Sequence, residues 1–434
     1  MQTSAWTQQA WWDVISRTTE ANAAPPATAG ARSLLCAAAV RRAAQRVLQL
    51  GVEESLEDWI VHLDRLPVAA DFVAQVVRDR YPDLRPPLHA RWRHFVFADR
   101  DEWQRLAGAH AWDSPAERAR AAFDLVITSV LLDAGAGAHW RYTDSATGLT
   151  VARSEGLALA SLRWFERGAL SGEPQDPLRA DATALRDIDG AAVAAAFQSG
   201  TLNPLQGAAG RALLLNRLGA AVAARPDLFA IADAPRPGGL FDALQARAAG
   251  GRIPAGTILE VVLDGLGSIW PDRPSLEGVA LGDCWPYPPL GGDTPAGRFV
   301  PLHKLSQWLS YSLIEPLQAA GVEVSDVAGL TGLAEYRNGG LFVDMEVLVP
   351  RDPQALSRVH EVSDPFIVGW RALTVGLLDE IAPLVAAALG LTAGQFPLAR
   401  VLEGGTWAAG RLIARRQRPD GGPPILITSD GTVF

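Results

Sequence analysis

The sequence predicts a mainly α-helical protein, a large helical fold with a small β element. Three observations predict it. Apolar residues recur at helical spacing through most of the 434 residues, Pro and Gly fall at the ends of those stretches, and alternating apolar–polar runs are few and short. Apolar residues make up 48% of the chain and charged ones 20%, enough to bury a core rather than remain disordered.

The elements follow in order. Residues 31–50 are rich in Ala, Leu and Arg and stop at Gly51, a helix-ending residue. Residues 68–81 form a second helix that ends before Pro82. Pro115 suits the first turn of a helix reaching Ala134, and Ser114 with Glu117 completes a capping box at its start. Helical patterns continue over residues 155–167, 191–197, 207–224, 241–249 and 257–266. Residues 271–297 are dense in Pro and Gly, with Trp270 at the edge and Trp285 and Tyr287 inside, as in a functional loop or ordered lid. A further helix opens near His303 and runs to about Gly321, with Pro316 expected to kink it.

Residues 341–349 are the best strand. Leu341, Val343, Met345, Val347 and Val349 alternate with Phe342, Asp344, Glu346 and Leu348. The most apolar stretch, residues 366–391, is interrupted by Arg371, Asp379, Glu380 and Pro383. It reads as a buried core helix, because a bilayer span needs ~20 uninterrupted apolar residues. A strand–turn–strand around Ser429–Asp430–Gly431 closes the chain. Residues 1–30 are expected to form an arm and 31–434 a single unit, with a sub-boundary near the Pro/Gly-rich 233–239.

Charge and composition exclude several functions. The net charge is −9 and no Lys/Arg stripe stands out, which argues against nucleic acid as a partner. Cys36 and Cys284 form neither a disulfide framework nor a metal motif, and the start lacks a signal-peptide pattern, so the expected compartment is the cytoplasm without membrane attachment. The seven histidines show no HExxH spacing, and no phosphate loop, GxGxxG or GxSxG motif appears; no metal and no cofactor is expected.

Chemistry concentrates in residues 299–346. Of the 39 basic residues only Lys304 is a lysine, which marks a place where a compact ammonium fits and a guanidinium fork does not, or else a chance survivor on a solvated face. His303 precedes it. Lys304, Gln307 and Tyr311 share a helix face, Trp308 lies on the apolar stripe, and the first turn favours an anion such as a phosphate or carboxylate. Glu335–Tyr336–Arg337–Asn338–Gly339–Gly340 then leads towards Asp344, with the two glycines permitting close approach of a ligand. Glu335 and Asp344 qualify as paired carboxylates able to stabilise an oxocarbenium ion and activate water, or Glu335 forms an ion pair with Arg337 in a tight turn. Asp264 and Asp272 around Trp270, Asp283 in the loop, and Trp140, Tyr142 and Glu155 are weaker candidates that core packing and helix capping also explain.

These motifs resemble the uracil-catabolism (URC/URG) protein family of fungi and bacteria. The resemblance is carried by Arg153–Ser154–Glu155–Gly156, Asn203–Pro204–Leu205, Ile269–Trp270–Pro271, His303–Lys304–Leu305–Ser306–Gln307–Trp308 and Leu330–Thr331–Gly332–Leu333. Glu335–Tyr336–Arg337–Asn338–Gly339–Gly340, Trp370–Arg371–Ala372–Leu373–Thr374 and Gly405–Thr406–Trp407 extend it over essentially the whole chain. The chain departs from the family pattern at Gly369, where an acidic residue is usual, and at Pro286–Tyr287, where a histidine is usual. A more distant similarity, at Ala138–His139–Trp140 and Glu335–Tyr336–Arg337, is to queuosine-salvage nucleoside glycosylases, helical proteins related in fold to DNA glycosylases.

The resemblances imply a hydrolase that splits the N-glycosidic bond of a ribosylurea-type compound, phosphorylated or not, left by ring-opened uracil ribonucleoside or nucleotide. Glu335, Asp344 or Asp264 would be catalytic, Lys304 and Arg337 would hold phosphate, and Trp308, Tyr336, Trp140 and Trp270 would wall the pocket. His303, Gln307, Asn338, Tyr142, Glu155, Asp272, Asp283 and Arg371 complete the expected substrate contacts. The partner is then a small nucleoside-derived molecule, with contact to other uracil-catabolism enzymes also implied. A pathway scaffold that binds the intermediate without turning it over, or an amidohydrolase acting on the ureido chain, are the alternatives.

Overall fold

The computed structural model describes residues 30–137, 139–231 and 234–428. Residues 1–29 of the expected arm and the terminal turn at Ser429–Asp430–Gly431 lie outside the described residues. The fold is mainly helical, and every sheet among the described residues is a two-stranded ladder. Two compact units emerge, each assembled from separate stretches. The first comprises residues 30–88 with Pro274–Lys304 and Ala328–Thr428; the second comprises His89–Arg273 and Leu305–Val327. The Pro/Gly-rich stretch at 233–239 falls inside the second unit.

The first unit is built on the 24-residue helix Pro365–Ala388, the core helix expected from residues 366–391. It packs against Ala37–Val52 and Leu66–Arg80, burying Leu373, Leu377, Leu378 and Ile381 completely. Each such side chain contributes about 1.5–3 kcal/mol of burial. Asp364 caps the helix by accepting the N–H of Phe366 at 3.0 Å. Phe366 in turn stacks on Trp59, ring centroids 4.5 Å apart.

The expectation of a strand over residues 341–349 is overturned. Tyr336–Asp344 is a helix, and only Leu348–Pro350 is a strand, paired antiparallel with Trp59–Val61. The alternation was incomplete, because Phe342 and Leu348 fall among its polar positions. What decided the outcome is tertiary. A Cβ on Gly339 would stand 2.8 Å from the Trp370 ring, and one on Gly410 would stand 2.0 Å from the Arg337 carbonyl oxygen. Gly339 therefore brings two helices together rather than admitting a ligand, and the Trp370 indole donates to the Gly339 carbonyl across that contact at 3.1 Å. Likewise Leu426–Ile427 pairs in parallel with Val359–His360.

In the second unit, Ser114 accepts the Glu117 N–H at 3.1 Å and starts the helix Pro115–Leu131, as the capping pattern predicts. That helix packs on Arg153–Glu166, while Ala208–Ala224 packs on Ala182–Asp187, Gly190–Ala196 and Ala255–Leu266. The helix Lys304–Ala319 begins at the last residue of Pro274–Lys304, and its remainder belongs to the second unit. It continues through Pro316. The carbonyl of Ser312, which loses its helical donor there, accepts the Trp92 indole N–H at 2.6 Å instead.

Candidate active site

Within the first unit, four of the expected residues converge: Asp283, Lys304, Glu335 and Arg371. Glu335 is the N-cap of Tyr336–Asp344, and its carboxylate accepts the N–H groups of Arg337 at 2.7 Å and Asn338 at 2.6 Å. It is only 7% exposed. Burial pushes its carboxyl above the ordinary range, although the two N–H donors and the nearby Lys304 and Arg337 charges pull the other way.

Asp283 experiences the reverse balance. Burial opposes its charge too, but Arg371 grips it bidentately, with both N–O distances 2.7 Å. The Trp285 indole donates to it at 2.8 Å and the Lys304 backbone N–H at 3.0 Å. These donors hold the Asp283 carboxyl well below the usual carboxylate range. The anion expected at the start of the Lys304 helix is therefore supplied by the protein itself. Arg371 also donates through Nε to the carbonyl of Ala334 at 3.2 Å, tying Asp283 to the turn that carries Glu335.

His303 sits between these groups in chain order, in a left-handed backbone conformation with φ of 46°. That conformation costs about 1–2 kcal/mol for a residue with a side chain. Two contacts hold it: its N–H donates to the Asp283 carbonyl at 2.9 Å, and Nε2 donates to the Leu34 carbonyl at 3.0 Å. The imidazole is 1% exposed, and Nδ1 has no hydrogen-bond partner among the described residues. Burial lowers its proton affinity, so the ring stays neutral with its proton on Nε2.

Other expected residues of this unit serve the framework. Arg337 donates to the Gly421 carbonyl at 2.9 Å and lies over the Tyr336 ring, 4.6 Å from its centroid. Asn338 is buried and donates to the Leu333 carbonyl at 3.2 Å. Asp344 is bound by Arg418 at 2.7 Å. It lies at the opposite end of the helix from Glu335, about 13 Å along the axis at the usual rise per residue, so the two do not form a carboxylate pair.

The remaining candidates belong to the second unit. Asp264 forms an ion pair with Arg225 at 2.8 Å, its side chain 41% exposed. Trp140 is fully buried, donates to the Phe197 carbonyl at 2.8 Å, and packs so closely that a Cβ on Gly156 would stand 2.8 Å from its ring. Tyr142 is buried, which pushes its phenol up. Glu155 lies in the first turn of Arg153–Glu166, where its charge acts on the buried Arg91. Trp270 is half-buried, and Asp272 is exposed with φ of 52°. Gln307 and Trp308 are buried, and the Arg91 guanidinium lies 5.5 Å from the Trp308 ring centroid. Leu34 was not foreseen as part of the cluster; nothing local in the sequence links it to Lys304. Among the described residues, no group of three or more His, Cys, Asp or Glu is placed to hold a metal ion, and no helix is long and apolar enough to cross a membrane.

Fold and site together define a mainly helical protein with two carboxyls of opposed proton affinity gathered about one lysine. The chain belongs to the family described as Protein of unknown function (DUF1688), whose model matches residues 33–434. It is 38% identical to Protein urg3 of Schizosaccharomyces pombe over 407 residues, 91% of this chain and 96% of that protein. It is also 36% identical to Uracil catabolism protein 4 of Lachancea kluyveri over 408 residues, 86% of this chain and 91% of that protein. The resemblance carried by the motifs thus holds along the chain.

Proposed function

We propose that this protein acts in uracil catabolism, as the name of its Lachancea kluyveri relative says of that protein, and that it does so as an N-glycosyl hydrolase. The substrate class is a ribosylurea, with or without a 5′-phosphate, derived from ring-opened uracil ribonucleoside or nucleotide. The supporting observation is the pair of carboxyls displaced in opposite directions, Glu335 upward and Asp283 downward, with Lys304 touching both environments. Such divergence is how one site holds a proton donor–acceptor beside a fixed negative charge.

In the reaction, the oxygen of water bonds to the anomeric carbon and the carbon–nitrogen bond breaks. Its electron pair leaves on the urea nitrogen, which gains a proton while the water loses one. Glu335, with the higher proton affinity, exchanges these protons. Asp283, kept ionised by Arg371, supplies a fixed charge that orients Lys304. The ammonium takes the ribose oxygens or the 5′-phosphate, and Tyr336 offers a ring face. Asp344 and Asp264 are each neutralised by an arginine, so the catalytic carboxylate is assigned to Glu335. The reaction needs no cofactor, takes place in the cytosol, and suits handover from other enzymes of the pathway.

Incubating the purified protein with ribosylurea and with its 5′-phosphate should release urea from one of them; no release from either overturns this reading. One observation favours a binding protein without turnover: the Glu335 and Asp283 oxygens already accept hydrogen bonds from the chain. That reading predicts thermal stabilisation by the same compounds without product, unchanged by Glu335→Gln.

A further inference from the structure

The first unit contains a pocket of about 570 Å³ lined by none of the cluster residues Asp283, Lys304, Glu335 and Arg371. Its walls are the ends of the two-stranded ladder and the start of the Pro365–Ala388 helix. Trp59 faces Pro350 in that ladder, and the Arg351 N–H donates to the Asp58 carbonyl at 2.9 Å. Asp58 and Arg351 are thus the next facing pair, and cross-strand partners carry their Cβ atoms about 4.5–5.5 Å apart on one face. Both line the pocket, yet no ion pair joins them among the described residues.

Of the other charges around them, Glu57 is exposed to solvent and the rest are paired. Arg358 pairs with Asp352 at 2.8 Å. Asp364 caps its helix and binds His360 Nδ1 at 2.8 Å, while His360 Nε2 meets the Ala355 carbonyl at 2.8 Å. The His360 ring lies on Phe366, centroids 4.8 Å apart, which makes one wall rigid. Arg351 is also held rigidly, through Nε on the Leu56 carbonyl at 2.9 Å and Nη2 on the Glu54 carbonyl at 3.2 Å. That leaves Nη1 open. The Asp58 carboxylate accepts no hydrogen bond among the described residues, and burial with the Asp364 and Glu57 charges raises its proton affinity against the opposing pull of His360.

We infer that this pocket is a second small-molecule site that takes a zwitterion, its ammonium on Asp58 and its carboxylate on Arg351. Asp58 offers an acceptor for an ammonium and the exposed Arg351 a donor for a carboxylate in the same pocket, so a zwitterion engages both while a ligand of one charge engages only one.

The test uses the full chain and a series of linear ω-amino acids from glycine to 6-aminohexanoate, with methylamine and acetate as single-charge probes, followed by ligand-observed NMR and thermal shift. One or more members should bind at least about tenfold more tightly than either single-charge probe. Asp58→Asn should weaken that member by about tenfold, and Asp71→Asn, at an exposed position outside the pocket, should leave it within about twofold. No binding by any member, equal binding of methylamine or acetate, or unchanged binding in Asp58→Asn overturns the inference. If Asp58→Asn does not fold, the wild-type series against the two single-charge probes decides alone.

Discussion

The second unit ties most of its buried charges into arginine–carboxylate nets, whereas the first leaves Glu335, Glu380 and Asp58 without an arginine ion pair among the described residues. In the second unit, Arg163 reaches Asp144 at 2.9 Å, Glu102 at 2.8 Å and Glu166 at 2.8 Å, and Arg105 adds bonds to Glu102 and Glu166. Arg236 and Arg120 share Glu117 and reach on to Asp124 and Asp242. Arg211, buried with only carbonyl partners, is lowered to about 10 and still carries its charge at neutral pH. Planar guanidinium forks suit such closed nets, which accounts for a chain whose buried cations are arginines. In the first unit, Glu335, Glu380 and Asp58 are all raised by burial. Compensated charge builds architecture; uncompensated charge is where a ligand or a proton can act.

The sharpest way to break this contrast is at Glu335. If it exchanges protons in glycosidic cleavage, Glu335→Gln should lower kcat for urea release by about 10²–10⁴-fold, the usual contribution of a positioned acid–base group. The amide keeps an acceptor for the helix cap, so the melting temperature should move little. A full loss of activity that tracks unfolding would place Glu335 with the architecture instead.

A net in the second unit should respond in the opposite way. Arg163→Leu strands Asp144, whose side chain is 2% exposed, and leaves Glu102, 1% exposed, with Arg105 as its close partner. Breaking one partner of a buried pair costs about 3–5 kcal/mol, read as a fall in the denaturation midpoint. Loss of less than about 1 kcal/mol would show that the net is solvated.

Glu380 sharpens the contrast through pH. It is 5% exposed on the core helix, with Gln45 at 3.5 Å as its side-chain hydrogen-bond donor, and burial beside Asp379 raises it from 4.5 to about 7. A raised folded-state value means the native state holds the proton more tightly. Its contribution is therefore complete below about pH 4.5 and lost as pH rises through about 7. Glu380→Gln should stabilise the protein by on the order of 1–3 kcal/mol at about pH 8 and by almost nothing at about pH 4. Equal effects at both pH values would show that the carboxyl titrates normally.

Legibility from sequence followed locality. Ser114 and Glu117, three residues apart, announced their helix, and the apolar stretch at 366–391 announced the core. The cluster was half legible: the lone lysine pointed to Lys304, and the polar turn pointed to Glu335. That Asp283 would cap the Lys304 helix could not be read, since the two are 21 residues apart and Arg371 a further 67 beyond Lys304. The helix Tyr336–Asp344 was hidden for a related reason, because Trp370 and Arg337 explain Gly339 and Gly410 only once the helices meet. The His360–Asp364 spacing of four was visible, but the facing pair Asp58 and Arg351 was not.

The smallest effect calibrates the largest. Ser114 and Glu335 occupy the same structural position, each capping a helix by accepting the N–H three residues on, at 3.1 Å for Ser114 and 2.6 Å for Glu335. The Ser114 hydroxyl makes no other hydrogen bond among the described residues, so Ser114→Ala should cost the cap, about 0.5–2 kcal/mol, measured by urea denaturation, with urea-release kinetics unchanged. Glu335→Ala removes a cap of the same kind and should lose a similar amount of stability, offset by relief of its own burial. Any rate loss in Glu335→Ala beyond that of Ser114→Ala at matched fraction folded therefore reports chemistry at the carboxylate alone. Matching rate losses in the two variants would reduce Glu335 to a cap and leave Lys304 and Asp283 as a binding site without an acid–base group.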